Sequence, residues 1–500
     1  MAEKWLEVDT AGLKGPQVGD GLFENRASVA EQLQQTAAAE VSIIVQAFGR
    51  LEKTKRCVES VLEHTAGIDY ELILMDNGST DGTLDYFRSV PWEKKTILHI
   101  TQNIGSGYPS FMLGLKDLGR FVCCLANDNI VTHGWMDGLL YCMKSDPKIG
   151  MVVPVTSNVS NFQQVDLPYK TYGEMQREAR RFNRSDPSKW EDRLRLITLG
   201  ALYRKEVLLA IGWPVGDSGF FHDFGDDDVS FAVRQLGYRI VLAGDTWICH
   251  DHDFRHGEGK DSAEFERSLK VGRENFQEKY FGVDAWEDVN NYYIHHFRKL
   301  TIKKPIGTAR ILGVDVKCGT PILDMKNRLR KASYFDVELS AFTQSPQYWK
   351  DCTGPVICDR EEFLLDSFLR ENFDYIVADR PINCYHEPQK MLNDLFALCK
   401  KGGTVICKLR NTFSFLGYLY LLGQRDVYDN EVSYVIPLEA LHSALSKYGR
   451  VTHVIAEPFV MPEEQREIIE SLIPEGLPEK QTAIDRMLCQ NFLLVVEKNA

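Results

Sequence analysis

The chain has 500 residues, of which 44% are hydrophobic and 26% charged, and it carries a net charge of −13. That length exceeds a single hydrophobic core and points to two domains, and the ordinary proportions exclude collagen-like, fibrous or disordered chains. Such acidity excludes nucleic acid as the main partner, and any anionic ligand would need a local source of positive potential.

Residues 1–40 are polar and end Ala/Gln-rich in EQLQQTAAAE, which predicts a short helical lead-in. The start MAEKWLEVDTAGL lacks a basic, apolar leader, and no apolar run reaches the length of a bilayer span, about 18–20 residues. The twelve cysteines include the neighbours Cys123 and Cys124 but no C-x-x-C spacing, so they read as reduced thiols. A cytoplasmic chain is the expectation.

From Val41 onward, short apolar runs alternate with amphipathic ones, the pattern of an α/β domain with a largely parallel sheet. VSIIVQAF, ELILMD, FVCCLAND and IGMVVPVT read as strands, with helices over EKTKRCVESVLEH and DGLLYCMKS. The alternation fades at the basic stretch HHFRKLTIKKP, a linker near residue 300. It then restarts with ARILGVDV, ASYFDVEL, PVICD, FDYIVAD and GGTVICKL. The implied domains are 41–300 and 301–500. FSFLGYLYLLG, from Phe413 to Gly423, reads as a buried helix.

Four features of the first half carry chemistry. ELILMD runs into Asn77–Thr83 (NGSTDGT), placing Asp76 at a strand's carboxyl end, where ligands of open α/β sheets bind. FVCCLAND delivers Asn127, Asp128 and Asn129 to another strand end, and one carboxylate there can hold Mg²⁺ or Mn²⁺ against substrate phosphates. Asp226, Asp227 and Asp228 open a helix, and their crowding predicts a carboxyl pKa raised towards a general base's range. ICHDHDFRH ends a strand at His250, a candidate further ligand, with His252 in H-x-H spacing.

Residues 41 to about 255 resemble a family 2 glycosyltransferase with the GT-A fold. The resemblance is carried by VSIIVQAFGRLEKTKRCVESVL, the turn from Asp76 to Thr83, Asn127–Asn129 at the D-x-D motif, and LGALYRKEVLLAIGW. It implies a nucleotide-sugar donor, with Ala47 and Phe48 lining the base pocket, Asp76 accepting from the nucleobase, and Asn127 nearby. It also implies a divalent cation on Asp128 and His250, and a base at Asp226 or its neighbour Asp228. Ala126 and Gly225 depart from the family's pattern, and no Q-x-x-R-W follows the helix, so a non-processive enzyme is implied. The acceptor would be a glycan or protein hydroxyl. A non-catalytic GT-A binding subunit is the rival reading, and the charged stretch from Tyr172 to Leu196 would cover the acceptor side.

Residues from about 305 to 498 resemble class I S-adenosylmethionine-dependent methyltransferases, chiefly through FDYIVAD and KKGGTVICKL. A Rossmann-like fold is implied, with Asp315 and Gly319 in the first turn. Asp336 lies at the spacing of a ribose-binding carboxylate, about 20 residues on, and Asp359 ends a third strand. Lys317 and Pro321 stand where that family has glycines. Two readings follow: a second active domain binding S-adenosylmethionine, or a degenerate module for acceptor docking or for homo-oligomers.

Overall fold

The computed structural model describes residues 4–8, 39–103, 118–211, 215, 220, 223–252, 262–303, 305–349, 352–423 and 432–500. The chain divides into two compact units, Met1–Val289 and Asn290–Ala500. The sequence pattern put the boundary about ten residues later. Its basic letters hide Tyr293, Phe297 and Leu300, all buried. Arg328 of the second unit donates to the carbonyls of Phe297 and Leu300.

In the first unit the strands are β1 Lys4–Val8, β2 Val41–Ala47, β3 Tyr70–Asn77, β4 Lys95–Ile100 and β5 Phe121–Ala126. They continue with β6 Asn129–Ile130, β7 Ile149–Thr156, β8 Trp190–Arg193, β9 Ala201–Arg204 and β10 Arg239–His250. Among the described residues they form one sheet in the order β1-β4-β3-β2-β5-β9-β7-β10-β6, with β8 on β10. Lys4–Val8 is therefore a strand, parallel to β4, where a helical lead-in was expected. Residues 9–38 lie outside the described ones.

The central strands are apolar along their whole length because helices cover both faces. Ile43 and Val45 face the helix Leu51–His64 through Val58 and Val61, whereas Ile44 and Ile73 join Tyr203 and Trp247 on the other side. Strand β9 runs antiparallel to both β5 and β7, the one reversal in that central run.

The second unit has β11 Ala309–Val314, β12 Val337–Thr343, β13 Val356–Cys358 and β14 Phe373–Ala378. These are followed by β15 Cys399–Arg410, β16 Gly449–Pro458 and β17 Cys489–Lys498. The order is β13-β12-β11-β14-β15-β17-β16, parallel as far as β15 and antiparallel on both sides of β17. This is a Rossmann-like sheet of methyltransferase type, closed by the antiparallel strands GRVTHVIAEP and CQNFLLVVEK.

Two expectations need correction. ASYFDVEL is not one strand: β12 starts only at Val337, after a turn in which Ser333 has φ 60° and Phe335 is exposed. The apolar helix Phe415–Leu421 is not buried, since Phe413, Tyr418 and Leu422 are exposed around it. All twelve cysteines are free. Among the described residues no helix is long and apolar enough to cross a membrane.

Candidate active site

The carboxyl ends of the neighbouring strands β2, β3 and β5 are tied together by their loops. Gly49 N–H donates to Ser79 Oγ at 2.9 Å, and Leu51 N–H to Asp81 Oδ2 at 2.9 Å. Asn127 Nδ2 donates to Gly49 O at 3.0 Å and Thr54 Oγ1 at 2.9 Å, so that side chain braces the loop after β2. Gly78 has φ 79°, and a Cβ there would meet Asn103 N at 3.0 Å, which is why the turn after β3 needs glycine. Ala47 is fully buried, whereas Phe48 beside it is 53% exposed. Asp76 is enclosed, accepting from Ser79 N–H at 3.0 Å and lying 2.8 Å from His99 Nδ1.

Strand β6 brings the next residues together. Asn129 pairs with His250 in the antiparallel β6–β10 register, so Asp128 stands at the end of β10. His250 Nε2 lies 3.6 Å from Asp128 Oδ1, and His252 Nδ1 lies 3.6 Å from Asp128 Oδ2. Arg50 Nη1 is 3.4 Å from the same Oδ2. His250 Nδ1–H donates to the Asn158 carbonyl at 2.9 Å, which turns the basic Nε2 towards Asp128. Asp128 Oδ1 is buried without a hydrogen-bond partner among the described residues.

Burial pushes the Asp128 carboxyl up, but His250, His252 and Arg50 outweigh it and hold it below its ordinary value. One carboxylate and two imidazoles, with donor atoms all within 4.8 Å, fit a divalent cation. The sequence singled out His250 and left His252 unassigned, although its H-x-H spacing was the signal.

The acidic helix Gly225–Gln235 starts from Phe224, held at φ 66° and stacked on Trp286 with ring centroids 4.8 Å apart. Its three aspartates diverge. Asp226, half-buried, accepts from Thr198 N–H at 3.2 Å and from the Thr198 hydroxyl. Asp227 is paired with Arg195. Asp228 is almost wholly buried, with Lys279 Nζ at 2.5 Å and Tyr280 Oη at 2.7 Å from its Oδ1.

Burial raises the Asp226 carboxyl, against Thr198 and Arg195. Burial also pushes Asp227 up to about 6, against Arg195 and with a smaller push from Asp226. The raised values thus come chiefly from burial and not from crowding. Thr198 and Arg195, the residues that hold this acidic turn, gave no sequence signal.

In the second unit the residues do not fit S-adenosylmethionine. Asp315 ends β11, but its carboxylate accepts from Gln344 N–H at 2.9 Å, Gln344 Nε2 at 3.0 Å and Tyr385 Oη at 3.0 Å. Gly319 has φ 100°, and a Cβ there would meet Thr353 Cγ2 at 2.9 Å, which is why the turn after β11 needs glycine. Asp336 precedes β12 and binds Thr308 Oγ1 at 2.9 Å, at the sheet's amino edge, opposite to the end where ribose would lie. The β12 carboxyl end carries Thr343 and Gln344 instead. Asp359 follows β13 and is exposed. At the end of β14, Asp379 is filled by Tyr293 Oη and Lys408 Nζ, each at 2.6 Å, and Asn291 Nδ2 at 2.8 Å.

Residues 42–212 match the family model for Glycosyl transferase family 2. No curated protein matches the chain. Among solved structures, a mannosyltransferase from Pyrobaculum calidifontis, PcManGT in complex with GDP-Man and Mn²⁺, is 17% identical at TM-score 0.34, over 50% of this chain and 70% of that one. S. aureus TarS 1-349 is 12% identical at TM-score 0.31, over 48% and 65%. A Haloferax volcanii complex of the Trm112 methyltransferase activator with a putative methyltransferase matches at 11% identity and TM-score 0.30, over 42% and 91%. Likenesses this partial say nothing about substrate or cofactor. Within the first unit, residues 42–212 are therefore a segment that matches Glycosyl transferase family 2, on a parallel-rich α/β sheet that fits a GT-A fold.

Proposed function

We propose that the first unit is a metal-dependent, inverting, non-processive glycosyltransferase that moves a sugar from a nucleoside-diphosphate donor to a hydroxyl of a glycan or protein. The observation that carries this reading is the Asp128–His250–His252 cluster, with a buried unpartnered carboxylate oxygen, where the end of β10 meets Asp128 of the family 2 segment.

Asp128, His250 and His252 would hold Mn²⁺ or Mg²⁺, which supplies charge neutralisation to the departing diphosphate when bound. Phe48 offers an exposed ring to the nucleobase. Asp76 acts from behind by orienting His99 and the Ser79 turn. Asp226 takes the proton from the acceptor hydroxyl while the oxygen–anomeric carbon bond forms and the carbon–phosphate oxygen bond breaks. Thr198 orients Asp226 through Oδ1, and burial raises its basicity.

Nucleotide release from a panel of nucleotide sugars with Mn²⁺ tests the reading. Release that needs both Mn²⁺ and Asp128 supports it, and release equal in Asp128→Ala overturns it. A panel in which no donor is turned over, while Mn²⁺ and nucleotide still bind, would favour the non-catalytic binding subunit.

A further inference from the structure

Arg50 lies beside the Asp128 cluster. It follows Gly49, and both residues have positive φ, 62° and 58°, at the entrance to the helix Leu51–His64. Two other basic residues of that helix are committed to the turn after β10: Lys53 donates to the Asp251 carbonyl, and Arg56 Nη2 lies 2.6 Å from Asp251 Oδ2. Arg50 differs in its partner: its side chain, about as exposed as that of Arg56, meets Asp128 Oδ2 at a loose 3.4 Å.

Building on the metal-dependent reading above, we propose that Arg50 is a diphosphate-binding residue of the donor site, and that it competes with the divalent cation for Asp128 Oδ2. The two positive charges cannot both sit on that oxygen without repulsion. A guanidinium on a half-exposed stem can turn away, and the diphosphate of a donor bound beside Asp128 would come within its reach. There it makes charge-assisted bonds that a planar fork suits. The arrangement supplies local positive potential to an anionic donor in a chain of net charge −13.

Two opposite effects distinguish this role from that of a plain counter-ion. Isothermal titration of the full chain with Mn²⁺ alone should show Arg50→Gln binding about two- to five-fold tighter, the range of an exposed ion pair. Titration with UDP or GDP at saturating Mn²⁺ should show the same variant about ten-fold weaker for the nucleotide that binds the wild type, the size of one charge-assisted bond. Arg50→Lys should fall between the two.

Arg50→Gln with unchanged Mn²⁺ affinity, or with unchanged nucleotide affinity, overturns the proposal. Asp128→Ala is titrated alongside. If it binds Mn²⁺ as the wild type does, the metal reading itself fails, independently of what Arg50→Gln shows.

Discussion

His250 Nε2 faces Asp128 Oδ1 at 3.6 Å while its Nδ1–H is anchored at 2.9 Å to the Asn158 carbonyl. That separation is too long for a strong hydrogen bond, and the anchored tautomer leaves a lone pair on Nε2. Both facts favour a shared cation. His250→Ala should therefore lower Mn²⁺ affinity about 10- to 100-fold. Asn158→Ala, which frees a side-chain contact to the His250 carbonyl at 3.0 Å but keeps the Asn158 carbonyl, should change it far less. Manganese titration followed by electron paramagnetic resonance measures both. Equal affinity in His250→Ala would remove that residue from the ligand set.

Asp226 predicts a pH dependence with a definite sign. Burial raises its pKa, and only the deprotonated form can accept the hydroxyl proton. kcat/KM should thus fall on the acid side at a pH above the usual carboxylate range, and be restored as pH rises through the raised value. Asp226→Asn should lose transfer by about 10²–10⁴-fold while nucleotide affinity stays near wild type. An acid limb that persists unchanged in a residually active Asp226→Asn would assign the ionisation elsewhere.

The contacts of Asp228 predict a structural role for it. Its carboxylate and the Lys279 ammonium are both almost fully buried, and neutralising one partner of such a pair costs about 3–5 kcal/mol. Asp228→Asn should lower the urea midpoint strongly and leave transfer intact at temperatures where the variant is folded. Loss of transfer with an unchanged midpoint would make Asp228 the base instead.

Much of the first unit is readable from the sequence because its strands are buried on both faces and their letters are continuously apolar. Strand ends fell close to where the runs ended, so Asp76, Asp128 and His250 lie at or just past the ends of β3, β5 and β10. What the sequence concealed depends on pairing between distant segments. Arg50 reaches Asp128 because β2 and β5 are neighbours, and Thr198 meets Asp226 across 28 residues. In the second unit, Tyr334 and Phe335 looked like strand residues and drew Asp336 to the wrong sheet edge. The true strand, VELSAFT, is only half-buried at its start, and so lacks a clear apolar signal.

Asp315 shows why the methyltransferase resemblance stops at the fold. A first-turn carboxylate free to orient a cofactor has unspent lone pairs, whereas this one receives three donors from Gln344 and Tyr385. Tyr385 and Asp379 are buried, so admitting a cofactor would break several buried hydrogen bonds, each costly if left unmade. Titrating the full chain with S-adenosylmethionine up to millimolar concentration should give no saturable heat and no rise in unfolding temperature. Saturable binding, lost in Asp359→Ala, would mean that these contacts open and that the second unit keeps a working cofactor cleft.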